Sequence, residues 1–163
     1  MRLWDVKNGN AISVLEGHAN IIRSVSFSSA GNKIATGSCD NTIRIWSTDT
    51  GKCIQEFSET SGQIYSVMFA PNESYIVGAG SAGRLQFWDV NTGESFLYRY
   101  SFAPGSWLTI LPDGRFDASP EGLRKLAYTD NNLYYFSAED FIKEFFRPDD
   151  VQEVINNYCG NLK

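Results

Sequence analysis

Apolar and polar positions alternate with a period of two along most of the first part of the chain, and Asn, Asp and Gly interrupt the alternation at short intervals. Between Ile34 and Trp46, Ile34, Thr36 and Ser38 share one face against Ala35 and Gly37. After Asp40-Asn41, Ile43 and Ile45 alternate with Arg44 and Trp46. Asp and Asn bond their own backbone and tolerate left-handed dihedrals, so this stretch predicts a β-hairpin closed at Asp40-Asn41. The same reasoning predicts strands at Ile22 to Ser28, Lys33 to Ser38, Thr42 to Ser47 and Lys52 to Ser58. Four more are predicted at Ile64 to Ala70, Tyr75 to Gly80, Arg84 to Asp89 and Ser95 to Tyr100. Upstream, Arg2 to Val6 and Ala11 to Glu16 form a strand pair around Asn8-Gly9, a strong hairpin dipeptide.

The pattern repeats. An offset of 42 residues relates Trp46 to Trp4 and Trp88, Val25 to Val67, Phe27 to Phe69 and Gly51 to Gly93. A period of roughly 40–45 residues with Gly-His and Trp-Asp marks belongs to four-stranded propeller blades. Gly17-His18, Trp4-Asp5 and Trp88-Asp89 supply those marks, and the chain resembles the WD40-repeat β-propeller family.

The resemblance implies a mainly β fold, a partial propeller of two complete four-stranded blades plus a half blade. Residues 1–102 would hold the repeats, with a half blade at 1–16 and blades at 17–58 and 59–102. Because Arg2 to Val6 aligns with the third strand of each blade, the chain is expected to be the last blades of a larger propeller. The rest of that protein, or another chain, would supply the missing ones.

The period stops near Phe102. Residues 103–163 are expected to form a small C-terminal extension, a hairpin and then two helices. Pro112-Asp113-Gly114 is a proline-initiated turn between Trp107 to Leu111 and Arg115 to Ala118. Ser137 with Asp140 resembles a helix cap, ahead of an apolar stripe at Phe141, Ile142, Phe145 and Phe146. Pro148 starts a second helix carrying Val151, Val154 and Ile155, and Gly160 ends it. Trp107 to Pro120 and Phe145 to Asp149 resemble the segment after the last repeat in bacterial proteins that pair a WD40 propeller with a caspase-like peptidase. The His and Cys dyad of such a peptidase is not among these residues, since the one histidine is His18 and Cys159 has no partner for it.

In the WD40 family a His, a Ser or Thr, an Asp and a Trp form a hydrogen-bonded chain. The resemblance assigns these to His18, Ser38 in preference to Thr36, Asp40 and Trp46. A hydroxyl both donates and accepts, an indole only donates and a carboxylate only accepts, which suits a structural clamp. In the second blade Thr60, Gly80 and Ala82 take the places of His18, Ser38 and Asp40, and only Trp88 remains. That blade is expected to be the less firmly specified. A binding rim is expected at the inter-blade loops and second-to-third strand turns: Ala19, Asn20, Ile22 and Asn41 from one blade, Ser61, Gln63, Ser81 and Arg84 from the next.

Charge and chemistry narrow the function classes. The net charge of −5, with Lys and Arg scattered singly, argues against nucleic acid as a partner. No apolar run is long enough to cross a bilayer and no secretory leader is visible, so no membrane partner and a cytoplasmic location are expected. Three cysteines with no Cys-x-x-Cys pair, and a single histidine, offer no metal site, and no cofactor is expected. Asp113 and Asp117 could be paired carboxylates for a hydrolase, but Asp113 is the residue a turn before Gly114 requires. The aromatics Tyr128, Tyr134, Tyr135, Phe136, Phe141, Phe145 and Phe146 read as core or interface. No catalytic residue is assigned. The expected function is a non-catalytic protein–protein or protein–peptide interaction scaffold; the alternatives are a regulatory or sensor part of a caspase-like peptidase and a hydrolase built on the tail carboxylates.

Overall fold

The computed structural model describes residues 1–58, 62–126 and 138–160. They form two compact units, Met1–Glu94 and Ser95–Lys163. The predicted Ser137 cap, Thr60, Ser61 and the aromatics Tyr128, Tyr134, Tyr135 and Phe136 lie outside the described residues, as do the side chains of Asp140 and Phe141.

In the first unit, β1 (Arg2–Trp4) pairs antiparallel with β2 (Ala11–Val14). A four-stranded antiparallel sheet follows in sequence order: β3 (Ile22–Phe27), β4 (Lys33–Ser38), β5 (Thr42–Ser47) and β6 (Cys53–Ser58). β7 (Ile64–Phe69), β8 (Tyr75–Gly80) and β9 (Arg84–Asp89) repeat the first three strands of that sheet. The turns repeat as well. Gly9, Gly51 and Gly93 have φ of 71°, 67° and 79°, and each donates its N–H to the carbonyl four residues back, at Asp5, Ser47 and Asp89, at 2.8, 2.9 and 2.9 Å. A left-handed φ excludes most side chains, which accounts for a glycine at each of the three positions.

The two sheets share a core. Ala35, Ile43, Ile45 and Phe57 from the first blade meet Ile64, Val67, Phe69, Ile76, Trp88 and Val90 from the second, with the Phe57 and Trp88 rings tilted at 6.0 Å. The inner strands β3 and β7 are also tied through hydroxyls. Ser24 Oγ accepts the Val67 N–H at 3.0 Å, and Ser26 Oγ accepts the Phe69 N–H at 3.2 Å. β1 and β2 pack on the other side of the first blade, where Met1, Leu3 and Leu15 meet Ile34 and Trp46.

In the second unit, β10 (Ser95–Ala103), β11 (Ser106–Ile110) and β12 (Phe116–Ala118) form an antiparallel meander. The Pro112-Asp113-Gly114 turn is closed by Leu111 N–H to Arg115 O at 2.8 Å. Three helices follow, α1 (Pro120–Leu126), α2 (Ala138–Phe145) and α3 (Pro148–Cys159), one more than the apolar pattern predicts. The extra helix is α1, and its start is chemically ordinary. Ser119 precedes Pro120, and its Oγ accepts the Gly122 N–H at 3.0 Å, an N-cap followed by proline at the first helical position. Leu108, Phe116 and Ala118 form the core, against which Tyr100, Ile110, Leu123, Ile142, Phe145 and Phe146 pack. The Phe96 and Tyr158 rings stack at 3.7 Å. Among the described residues no helix is long and apolar enough to cross a membrane.

Candidate functional site

The hairpin β4–β5 carries the hydrogen-bonded group at the heart of the first blade. Trp46 lies opposite Ile34 in the ladder, so the hydroxyl one diagonal step along the same face is that of Thr36. The Trp46 indole Nε1–H donates to Thr36 Oγ1 at 2.8 Å. His18, reaching in from the loop before β3, places Nε2 at 2.7 Å from the same oxygen and Nδ1 at 2.7 Å from Asp40 Oδ2. A carboxylate only accepts, so Nδ1 carries the proton given to Asp40, and Nε2 accepts the hydroxyl hydrogen of Thr36.

The hydroxyl joining imidazole and indole is therefore Thr36, and the assignment to Ser38 is corrected. Ser38 lies two residues further from Trp46 along β4, beyond reach of the indole. It serves the turn instead, accepting the Asp40 N–H at 3.1 Å and donating to Asn20 O at 3.3 Å. Thr42, which the sequence reading did not select, donates Oγ1–H to Asp40 Oδ1 at 2.7 Å and N–H at 3.0 Å. An Asp followed two residues later by Thr at a strand start is the local signal for that contact.

Asp40 is the electrostatic centre of this end of the blade. Burial pushes its carboxyl pKa upward. Hydrogen bonds from Thr42, His18 and the Ala19 N–H outweigh that and hold it well below the usual carboxylate range. The order Thr36, His18, Asp40 matches that of a nucleophile, base and orienting acid. Thr36, however, is fully buried, and its oxygen already accepts the Trp46 proton, so a substrate has no open approach to it.

The rim residues fall at the loop end of the blades. Ala19 donates its N–H to Asp40 Oδ2 at 2.9 Å, Asn20 Oδ1 accepts the Ile21 N–H at 2.8 Å, and Asn41 takes φ 70° in the turn. In the second blade the Gln63 N–H donates to Ser81 Oγ at 2.9 Å. Ala19, Asn20, Asn41, Gln63 and Ser81 are exposed, whereas Ile22 and Arg84 are half-buried. Ile22 is paired with Ser38 in the ladder, and the exposed isoleucine is its neighbour Ile21. Position 78, equivalent to Thr36, is Gly78 in the second blade, and the Trp88 ring occupies the space a side chain would need there.

The tail carboxylates do not converge. Asp113 pairs with Arg115 at 2.7 Å, and the guanidinium hydrogen bond holds its pKa below the ordinary range. Arg115 also reaches Asp150 at 2.9 Å, while Asp117 sits on β12 opposite Thr109. Asp113 is thus held as a carboxylate, the wrong form for a general acid. Among the described residues no group of His, Cys, Asp and Glu could hold a metal ion, and no disulfide joins Cys39, Cys53 and Cys159.

Residues 9–47 and 51–89 match the sequence profile of WD40, described as WD domain, G-beta repeat. Each matched stretch runs from the outer strand of one sheet through three strands of the next, one strand out of phase with the sheets themselves. Similar stretches occur in the Periodic tryptophan protein 2 homolog of Schizosaccharomyces pombe, 42% identical over 43 residues, which is 26% of this chain and 5% of that protein. Autophagy-related protein 16 of Arabidopsis thaliana is 44% identical over 41 residues, covering 25% of this chain and 8% of that protein. Guanine nucleotide-binding protein subunit beta-5b of Danio rerio is 40% identical over 45 residues, 28% and 11% of the two chains. The similarity therefore spans only a small part of each curated relative.

Proposed function

We propose that this chain, which carries two WD40 repeats, is a non-catalytic scaffold that binds a protein or peptide partner at the loop end of its blades. One observation carries the reading: the loop end is braced from within and open outside. Asp40 gathers hydrogen bonds from His18, Ala19 and Thr42 beneath the surface, while Asn20, Asn41, Gln63 and Ser81 stand exposed above it. A loop fixed by buried polar contacts loses little conformational entropy on binding, so its exposed groups are preorganised. The chain of Trp46, Thr36, His18 and Asp40 acts as that brace. One relative is by its name a subunit of a guanine nucleotide-binding protein, which fits a fold that works within assemblies.

The same reading has further blades, in the same polypeptide or another chain, covering the faces these blades leave open. The acidic balance disfavours nucleic acid, and cysteines without a disulfide suit the reducing cytoplasm. The test is affinity capture with the wild-type chain and with Asn20, Asn41 and Gln63 replaced together by alanine. Loss of a partner from a variant whose melting temperature is unchanged supports the rim. Equal capture by both proteins moves the site elsewhere.

A further inference from the structure

The same turn occurs three times in the first unit, and the residue before its glycine differs once. Asp5 to Gly9, Ser47 to Gly51 and Asp89 to Gly93 each close with the glycine N–H on the carbonyl four residues back. Thr50 and Thr92 precede the glycine in two of these turns, and Asn8 precedes it in the other. The turn therefore requires the left-handed glycine but not the asparagine. Asn8-Gly9 is the one Asn-Gly pair in the chain, and both residues are exposed. An asparagine before glycine, unlike a threonine, can cyclise on its own main chain.

Cyclisation requires the deprotonated Gly9 nitrogen to reach Asn8 Cγ, and both partners are tied in the closed turn. Gly9 N–H donates to Asp5 O at 2.8 Å, Asn8 Nδ2 donates to Asp5 Oδ2 at 2.9 Å, and Asn8 Oδ1 accepts the Asn10 N–H at 2.9 Å. Opening the turn frees all three contacts at once. Gly9 then presents an unhindered nitrogen, since it carries no side chain and a Cβ there would meet no atom within 4 Å. The strands that hold the turn are short, three residues in β1 and four in β2, and such elements open locally at far less cost than the whole fold.

We propose that Asn8 is a self-modification site, restrained by Asp5 and reached when β1 and β2 part. The Gly9 nitrogen bonds to Asn8 Cγ, the bond from Cγ to Nδ2 breaks, and ammonia leaves with the Gly9 proton, giving a cyclic imide. Water opens the ring at either carbonyl to give Asp or isoAsp. One water is consumed and one ammonia released, with no oxidation or reduction. The product sets a second carboxylate beside Asp5 where an amide had donated, and the two like charges repel. In isoAsp the main chain runs through the former side chain, so the turn gains one atom and the pairing of Arg2 with Val14 and Leu3 with Ser13 is disturbed. Met1, Leu3 and Leu15 pack with Ile34 and Trp46, so the change loosens this cover of the first blade. Asn8 is thus a one-way timer on β1 and β2.

The experiment ages the full chain in mildly alkaline buffer and locates modified asparagine by peptide mapping, with a synthetic peptide of residues 3–11 setting the unrestrained rate. Asn8 gains the mass of an amide-to-acid change at least tenfold more slowly than the free peptide, while Asn10 and Asn20, followed by Ala and Ile, stay unchanged. Asp5→Ala brings the rate toward that of the peptide. Asn8→Thr, which copies Thr50, is not modified. Hydrogen exchange of the Leu15 amide, which donates to Met1 O at 2.8 Å, quickens with age in the wild type and not in Asn8→Thr. Should Asp5→Ala lower the melting temperature, the urea dependence of the wild-type rate decides instead, because local opening exposes less surface and gives a shallower slope than global unfolding. The proposal is overturned if Asn8 in the chain reacts as fast as the peptide, if a stable Asp5→Ala variant reacts no faster than the wild type, or if the rate follows global unfolding in urea.

Discussion

Three groups compete for the single hydroxyl of Thr36: the Trp46 indole at 2.8 Å, His18 Nε2 at 2.7 Å and the Arg44 carbonyl at 3.3 Å. Removing it strands a buried donor and a buried acceptor together. Thr36→Val keeps the shape and should cost about 2–4 kcal/mol, since each unsatisfied buried group costs roughly 1–3. Ser38→Ala removes two turn contacts and should cost about 1 kcal/mol. Chemical denaturation of both variants checks the order; a larger loss from Ser38→Ala would refute the geometry. Asp40 adds a pH dependence whose sign follows from its depressed folded-state pKa. Its contribution is fully present above the unfolded value near 3.9 and is lost as pH falls through the lower folded value. The urea midpoint of the wild type should therefore fall more steeply than that of Asp40→Asn between about pH 5 and pH 2. Parallel curves would show that Asp40 is not the group titrating. The residue types of this brace were readable from the chain, but the choice of hydroxyl was not made by type. Thr36 and Ser38 share a face, and only the register, with Ile34 opposite Trp46, separates them. Counting outward from a turn centred on Asp40 gives that register.

At the level of elements, the strands follow the period-two pattern because each buries one face, and turn residues mark nearly every boundary. What the pattern could not carry is whatever depends on a second element. The bulges at Arg23 and Tyr65 leave the local alternation intact, and the serine contacts from β3 to β7 need both blades in place. Helix α1 was missed for another reason: it is too short for periodicity to show, and its signal is the cap Ser119 with Pro120. The close approach of the blades can be tested at Gly37. A Cβ there would lie 2.6 Å from Cγ2 of Ile64, a β-branched side chain with little freedom to turn away. Gly37→Ala should destabilise the chain by about 1–3 kcal/mol. Ile64→Ala, which removes Cγ2, should cost less in the Gly37→Ala background than in the wild type, because the two residues share one contact. Losses that simply add would place the strain elsewhere.

Considered as a whole, the first unit buries the centre of its first blade on both sides, under β7 on one and β1 and β2 on the other, but leaves outward side chains of the inner strands β3 and β7 exposed. On β3, Ser24 and Ser26 turn toward β7, which sends the alternate residues Val25 and Phe27 outward, and Phe27 is 54% exposed. On β7, Val67 and Phe69 are buried against the first blade, and Met68 points the other way. Contiguous apolar surface of this kind drives association until something covers it. The chain on its own should therefore self-associate as concentration rises, with sedimentation velocity showing a weight-average mass above that of the monomer. Val25→Ser with Phe27→Ser should weaken that association without lowering the melting temperature, because neither side chain belongs to a buried cluster. Burial of each is worth about 1.5–3 kcal/mol, so the pair should shift the association constant by roughly a hundredfold or more. Surface serines on an unrelated face, at Lys52 and Glu94, provide the control. A wild-type chain that stays monomeric at every concentration, or a double variant that associates as readily, would mean that the exposed side of β3 does not seek a neighbour.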